Sequence, residues 1–234
     1  MSIIHLVGGE KGGVGKSVVS RLLSQYFLDQ SLPFTALDAD QSHSTLTRSY
    51  SDYTNAVNLD QFESADQIME KAIENDQQVL IDLPAQSERF LERWMEENGV
   101  LEMCDETGVT LVFWYVVDDG RDSTLLLDQF LTKYQNRMTC IVVKNQGRGS
   151  DFSHLDQLAG ASYDNVMMID LPALHSPTMR KIDKQSFSFW AAAHVKEGEG
   201  HLGMMERQRV RVWQNKAYSA FKHVFDQLPD TYVE

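Results

Sequence analysis

No stretch of this chain is apolar for long enough to cross a lipid bilayer. The most apolar run, Val109 to Val117, is about half as long as the roughly 20 residues that a membrane-spanning helix needs. The N-terminus also lacks the cationic region and the cleavage site of a secretory signal, because its apolar run leads directly into a glycine-rich loop. We therefore expect a cytoplasmic protein.

Cysteine is nearly absent, with two residues in a chain of 234. So few cysteines argue against a disulfide scaffold and indicate a reducing compartment. A metal cluster shared between two subunits could use two thiols from each subunit, but neither Cys104 nor Cys140 lies in a glycine-rich loop. Buried, unreactive thiols are therefore the simpler interpretation.

Positive charge is scarce in the first half of the chain. Residues 1–120 carry 7 Lys and Arg against 21 Asp and Glu, whereas residues 121–234 carry 14 against 13. If any part of the protein meets nucleic acid or an anionic membrane, we expect it to be the second half. The clearest basic face lies on a predicted last helix over 205–228, with a solvated face as the alternative to a binding patch. Its cations are Arg207, Arg209, Arg211, Lys216 and Lys222. The apolar residues at helical spacing, which we expect to face the core, are Val210, Trp213, Ala217, Phe221, Val224 and Leu228.

Apolar runs alternate with helical patterns along the chain, which predicts an α/β protein: a doubly wound, mostly parallel sheet with helices on both faces. The sequence shows one domain over 1–234, with helices between 187 and 228 packed on it. The main predicted strands are 3–7, 33–37, 78–84, 109–117, 138–143 and 166–169, with a short strand possible at 57–59. The main predicted helices after the first are 64–74, 88–103, 123–134, 152–158, 177–184, 187–195 and 205–228.

A glycine-rich loop between the first strand and the first helix is the strongest functional signal. Residues 8–17 read GGEKGGVGKS, in the strand, loop and helix context of a phosphate-binding loop. The glycines allow successive backbone N–H groups to point at phosphate oxygens, and the helix N-terminus favours the same negative charge. The residues expected to hold the phosphates are Gly12, Gly13, Val14, Gly15, Lys16, Ser17 and Val18. A plain glycine-rich turn is the alternative.

Two aspartates at predicted strand ends are candidate supports for the metal ion in phosphoryl transfer. Lys16 is expected to contact the β- and γ-phosphates, and the Ser17 hydroxyl to bind Mg²⁺. The metal also needs an acid at a strand end near the loop, which Asp82 supplies, with Asp38 as a possible support. These acids could instead be a helix cap or ordinary loop acids.

The loop from Lys11 to Ser17, with its additional lysine, resembles the deviant Walker A motif of the ParA/MinD family of ATPases. The resemblance implies a nucleotide-sandwich dimer in which Lys11 contacts the nucleotide of the partner. It also implies that residues 80–85 form a Walker B segment around Asp82, and that Asp40 orients the attacking water. Asn145 and Pro172 match positions that line adenine, which makes ATP the expected nucleotide, although Asn145 could be a turn residue.

The sequence departs from the family pattern at Val18, where many relatives carry a second hydroxyl that contacts the α-phosphate. Gln41 also replaces a frequent proline. Segments 118–123 and 147–152 are similar to those of ParA-like proteins found with plasmid stability and mobilisation functions.

The function that this resemblance implies is an ATP-driven switch. ATP and Mg²⁺ would produce a homodimer, an activating partner protein would stimulate hydrolysis, and the cycle would position cargo such as plasmid DNA. Nonspecific DNA is a possible partner through the basic face at 207–222, whereas the acidic last residues, 229–234, are unlike a membrane anchor. The alternative is a metabolic ATP-dependent ligase of the dethiobiotin synthetase or cobyrinate amidase type, which Lys11 disfavours.

Overall fold

The sheet is entirely parallel and places the first strand at its centre. A computed structural model describes residues 2–40, 43–134, 137–155 and 165–228. Within these ranges seven strands form one sheet in the order β3-β2-β4-β1-β5-β6-β7. The strands are β1 Ile3–Gly8, β2 Phe34–Asp38, β3 Thr54–Ala56, β4 Gln78–Asp82, β5 Thr110–Val117, β6 Thr139–Asn145 and β7 Val166–Leu171. The predicted doubly wound α/β fold is confirmed.

The register of the central strands brings the predicted site together at one edge of the sheet. Val7, at the end of β1, pairs with Asp82 of β4 on one side and with Trp114 of β5 on the other. The glycine-rich loop therefore leaves the sheet directly beside the last residue of β4. Carboxyl ends of parallel strands are where ligands bind in open α/β sheets.

Helices cover both faces of the sheet, and each face has its own apolar core. Helices α3 to α6 pack on one face, and α1, α2 and α7 to α9 pack on the other. The helices are α1 Lys16–Asp29, α2 Thr45–Ser49, α3 Phe62–Glu74, α4 Glu88–Leu91, α5 Val100–Thr107, α6 Arg121–Tyr134, α7 Ser176–Gln185, α8 Phe189–His194 and α9 Met204–Phe225. The six apolar residues predicted to face the core from the last helix, which are Val210, Trp213, Ala217, Phe221, Val224 and Leu228, are all buried.

Both cysteines lie in the core that α3 to α6 cover, as free and buried thiols. Burial raises the pKa of the Cys104 thiol to about 11, and it raises the pKa of the Cys140 thiol as well. Thiols that keep their protons are poor nucleophiles and poor metal ligands, which agrees with the expectation of inert cysteines.

Two local predictions differ from the structure. The continuous helix predicted over 88–103 is broken: α4 continues as a π-helical turn, Glu92–Glu97, and α5 begins after Gly99. Gly99 has a φ of 66°, a left-handed conformation that ends the first helix and that glycine adopts without strain. The third strand is Thr54–Ala56 instead of 57–59. The prediction of a helix over 152–158 is tested only as far as residue 155, because residues 156–158 lie outside the described part of the chain.

A buried histidine joins the three central strands. His5 of β1 has no exposed surface, and its Nε2 lies 2.7 Å from Oε1 of Gln78 in β4. The Trp114 indole of β5 donates to Nδ1 of His5 over 3.1 Å. Since an indole N–H can only donate, Nδ1 must accept and Nε2 must carry the proton, so the imidazole is neutral.

We expect the stability of the protein to fall as the pH drops below the pKa of an exposed histidine. Burial lowers the pKa of His5 from 6.5 to about 4, so only the unfolded chain takes up this proton between those values. Between pH 7.5 and pH 5, the free energy of unfolding should fall by about 2 kcal/mol because of this residue alone. Urea unfolding of the wild type and of His5→Gln at both pH values measures this change. An equal loss of stability in the two proteins would contradict the role of His5.

Candidate functional site

The loop that joins β1 to α1 has the conformation that a phosphate-binding loop requires. Gly13 and Gly15 adopt left-handed φ values of 79° and 100°. A Cβ on Gly15 would lie 2.2 Å from Nδ2 of Asn145, so this position excludes any side chain. Asn145 Nδ2 in turn donates to the Val14 carbonyl over 2.8 Å, which fixes the loop against the end of β6.

Lys16, the first residue of α1, is held inside the loop. Its side chain is nearly buried, and Nζ donates to the carbonyls of Gly9 over 3.2 Å and Lys11 over 3.1 Å. Burial lowers the pKa of this ammonium group. Because this cation is poorly solvated and lies at a helix N-terminus, it should attract an anion more strongly than an exposed lysine would.

Asp82 ends β4 as a buried carboxyl group beside the loop. The Ser20 hydroxyl donates to Oδ1 over 2.9 Å, whereas Oδ2 has no hydrogen-bond partner in the part of the chain that the structure describes. Burial raises the pKa of Asp82 to about 7, against the opposing effects of the Ser20 and Ser17 hydroxyls and the Lys16 charge. A cation at Oδ2 would favour the ionised carboxylate.

These contacts fit a magnesium ion that is held mainly by phosphate. No group of three or more His, Cys, Asp or Glu side chains forms a metal site within the described residues. Mg²⁺ at a triphosphate needs only one or two protein oxygens, because phosphates and water complete its octahedral shell. The orphaned Oδ2 of Asp82 and the hydroxyl of Ser17 suit that role.

Asp38 is the last residue of β2 and Asp40 lies in the loop that follows it, and the two acids have different surroundings. Oδ1 of Asp38 accepts from the Asp40 backbone N–H over 3.2 Å, and Oδ2 accepts from the backbone and the hydroxyl of Thr47 at 3.0 and 2.9 Å. Asp38 therefore supports the loop and the start of α2, and its metal role stays a prediction. Asp40 faces the phosphate loop across a cleft, with Oδ2 3.3 Å from Nδ1 of His43.

Lys11, the additional lysine of the loop, contacts the end of β5 in the same chain. Its Nζ lies 2.8 Å from Oδ2 of Asp118, while Oδ1 of Asp118 accepts from Ser123 and from the Gly120 backbone. The hydrogen bond to Asp118 raises the pKa of Lys11. About a third of the lysine side chain remains exposed, so it can reach solvent.

Two adjoining cavities run along the edge of the site. The first has a volume of about 520 Å³ and extends from the phosphate loop to Asp40 and Arg48. The second has a volume of about 290 Å³ and is lined by Asn145 and Pro172, the predicted base-binding residues, together with Met179 and Trp213. Its lining is mixed, and the side chains of Pro172, Met179 and Trp213 offer an apolar surface on which a planar base can pack.

The sequence did not identify Met179 or Trp213 as wall residues, because both belong to helices whose spacing indicates only packing. Asn145 lines the second cavity, but its amide already contacts Val14 and its Oδ1 accepts from the Gly147 N–H over 3.0 Å. Its predicted contact with adenine stays a prediction.

The five cations of α9 do not form a single patch. Arg207 and Arg211 donate to the backbone carbonyls of Leu202 and Ala193, and Lys222 pairs with Asp226. In the described chain, Arg209 and Lys216 are the members of this set that are exposed and have no ion-pair partner. DNA binding by this face stays a prediction, and Arg209 and Lys216 are the cations best placed to contact phosphates.

None of the described helices combines the length and the hydropathy needed to cross a membrane. The acidic residues 229–234 lie outside the described part of the chain.

Two curated proteins are distantly similar in sequence. MobD of Acidithiobacillus ferrooxidans is 28% identical over 137 residues, which are 57% of this chain and 59% of MobD. TraL of Escherichia coli is 24% identical over 226 residues, which are 91% of this chain and 94% of TraL. No family model matches the chain.

Solved structures of P-loop ATPases share the fold over nearly the whole chain. MinD from Pyrococcus horikoshii, complexed with Mg-ADP, covers 97% of both chains with a TM-score of 0.56 at 14% identity. A putative plasmid partition protein from Borrelia burgdorferi, bound to AMPPNP, covers 92% of this chain and 98% of its own, with a TM-score of 0.52 at 12% identity. The chain therefore has the fold of the MinD and ParA-like plasmid partition P-loop ATPases, as the deviant phosphate loop predicted.

Proposed function

We propose that this protein is a nucleotide-gated switch that binds ATP and Mg²⁺, dimerises around the nucleotide and hydrolyses it. Two features of the same site carry the proposal. Lys16 is nearly buried, and its ammonium group is bound to two backbone carbonyls. Asp82 is also buried, and its Oδ2 has no hydrogen-bond partner among the described residues. Together they complement a polyanion and its metal ion.

Each residue of the site then has a distinct task. The loop N–H groups and Lys16 hold the phosphates, and Ser17 and Asp82 hold the metal ion, which neutralises charge as the γ-phosphate leaves. Asp40, across the cleft from Lys16, orients the attacking water by accepting its hydrogen bond. Orienting a water needs only a hydrogen-bond acceptor, which a carboxylate oxygen supplies.

Lys11 acts after dimerisation in this proposal. In the single chain its ammonium group is paired with Asp118. A surface pair of this kind is weak, with a median value of about 0–1 kcal/mol. The triphosphate of a second protomer offers more negative charge, so Lys11 exchanges Asp118 for that phosphate when two chains meet.

Lys11→Ala should keep ATP affinity within about threefold of the wild type and should prevent ATP-dependent dimerisation. The reason is that Lys16 carries the contacts within the chain, whereas Lys11 serves the partner. Light scattering after size exclusion, with ADP and with a slowly hydrolysed ATP analogue, measures the change. Lys216→Ala, which removes an exposed lysine from α9, is the matched control. A wild-type protein that stays monomeric with the analogue would remove the basis of the proposal.

The cargo and the surface on which the switch operates are a further part of the proposal. We place the protein with systems that position DNA, because one structure with this fold is described as a putative plasmid partition protein. An activating partner would then stimulate hydrolysis. The ligase alternative is less well supported, since a lysine held at the surface serves association better than activation of a small acid.

A further inference from the structure

Apart from Lys16 and Ser17, which serve the terminal phosphates and the metal ion in the proposed site, the first turn of α1 has no side-chain donor for the α-phosphate of a bound nucleotide. Val18, the third residue of this helix, ends in two methyl groups and cannot donate a hydrogen bond. Val18 lines both cavities, so it lies where the phosphate region meets the base region. A nucleotide that spans both cavities must place its α-phosphate and ribose at this junction.

Arg148 borders the same junction. This residue follows β6 and lines both cavities, as Val18 does. Its Cγ lies 3.9 Å from the position that a Cβ on Gly15 would occupy, so the stem of the side chain lies beside the residue that precedes α1. Its positive charge is therefore next to the junction of the two cavities.

The loop that carries Arg148 is held at both ends. At one end, Asn145 binds the phosphate loop through Val14 and caps the turn through the Gly147 N–H. At the other end, Oδ2 of Asp119 accepts from the Ser150 backbone N–H over 2.9 Å. A Cβ on Gly149 would lie 2.3 Å from Cγ of Asp119, so close packing also fixes this end. The position of Arg148 is therefore set by the fold.

Other arginines of the first cavity are less suited to this task. Arg21 is already bound to Asp183 over 2.7 Å and to the Phe187 carbonyl over 3.2 Å. Arg48 lines the phosphate cavity but not the base cavity. Arg148 is exposed, and within the described ranges no carboxylate forms an ion pair with it.

We propose that Arg148 binds the α-phosphate of the nucleotide and replaces the donor that Val18 cannot supply. The proposal rests on the function proposed above, because it requires a nucleotide in the cleft. A guanidinium group presents several N–H donors in a fixed plane, which matches the oxygens of a phosphate. The contact belongs to ATP and ADP alike, since both carry the α-phosphate.

Arg148→Ala should weaken the binding of ATP and of ADP by the same factor, roughly 10- to 100-fold, which is the range expected for a lost charge-assisted hydrogen bond. Arg148→Lys should recover part of the loss, because it restores the charge without the planar geometry. Calorimetry with each nucleotide measures the affinities, and thermal unfolding without nucleotide shows whether the variants fold. Arg137→Ala, which removes an exposed arginine that lines neither cavity, should change neither affinity.

A second substitution tests the exchange of donors directly. Val18→Thr should raise ADP affinity more in the Arg148→Ala background than in the wild type, because the new hydroxyl then supplies a contact that is missing. An equal effect in both backgrounds, or an Arg148→Ala affinity within about twofold of the wild type, would overturn the inference. A wild-type protein that binds neither nucleotide would overturn the proposed function itself, and the inference with it.

Discussion

Lys16→Ala is expected to abolish measurable binding of both ATP and ADP. The ammonium group already lies in the loop, held by the Gly9 and Lys11 carbonyls and largely shielded from water. Attraction between charges is stronger in such a site than at an exposed surface. The loss of charge-assisted contacts to two phosphates should lower affinity at least roughly a hundredfold.

The same substitution should not destabilise the nucleotide-free protein by much. Burial lowers the pKa of Lys16, so the folded chain bears a cost for keeping this cation, and alanine removes that cost. Calorimetry with ATP and ADP, combined with urea unfolding, separates the two effects. Lys216→Ala serves as the control, since it removes an exposed lysine far along the chain. Unchanged ATP affinity in a folded Lys16→Ala protein would refute the assignment of the phosphate loop.

The strands and the phosphate loop could be predicted from the sequence because their determinants are local. Strands such as β5 are continuous apolar runs, as expected when both faces of a sheet are covered. The loop requires glycine where the backbone turns left-handed, and Gly15 shows why, since any side chain would meet Asn145. A phosphate-binding loop therefore requires particular residue types at a few neighbouring positions, and such a pattern can be recognised in the sequence.

The contacts between distant segments could not be predicted. Lys11 pairs with Asp118, which lies 107 residues away, and Arg21 pairs with Asp183, which lies 162 residues away. Spacing on α9 correctly identified the buried face, but it could not show that Arg207 and Arg211 bind backbone carbonyls of the preceding segment. Helical periodicity reports which side of a helix is apolar, whereas the partner of each polar side chain depends on tertiary packing.

Asp40→Ala is expected to bind ATP and Mg²⁺ normally but to hydrolyse ATP roughly a hundredfold more slowly, in the range of an oriented general base or water-positioning group. The phosphate contacts come from the loop and from Lys16, which this substitution leaves in place. Since hydrolysis ends the dimeric state in the proposed cycle, the variant should accumulate as an ATP-bound dimer. Asp82→Ala should differ, because it removes the carboxylate beside the metal and should weaken binding only when Mg²⁺ is present.

Single-turnover hydrolysis and light scattering on the same samples distinguish these outcomes. Asp40→Asn should retain part of the rate if the residue positions water, because the amide oxygen still accepts a hydrogen bond. His43→Ala separates the contribution of the neighbouring imidazole, which lies 3.3 Å from Asp40. Asp52→Ala, at an exposed position beyond α2, controls for the loss of one negative charge. If Asp40→Ala turns over at the wild-type rate while remaining able to dimerise, the water must be oriented by another group. Asp40 would then serve only to shape the loop after β2, as the contacts of Asp38 with Thr47 already do.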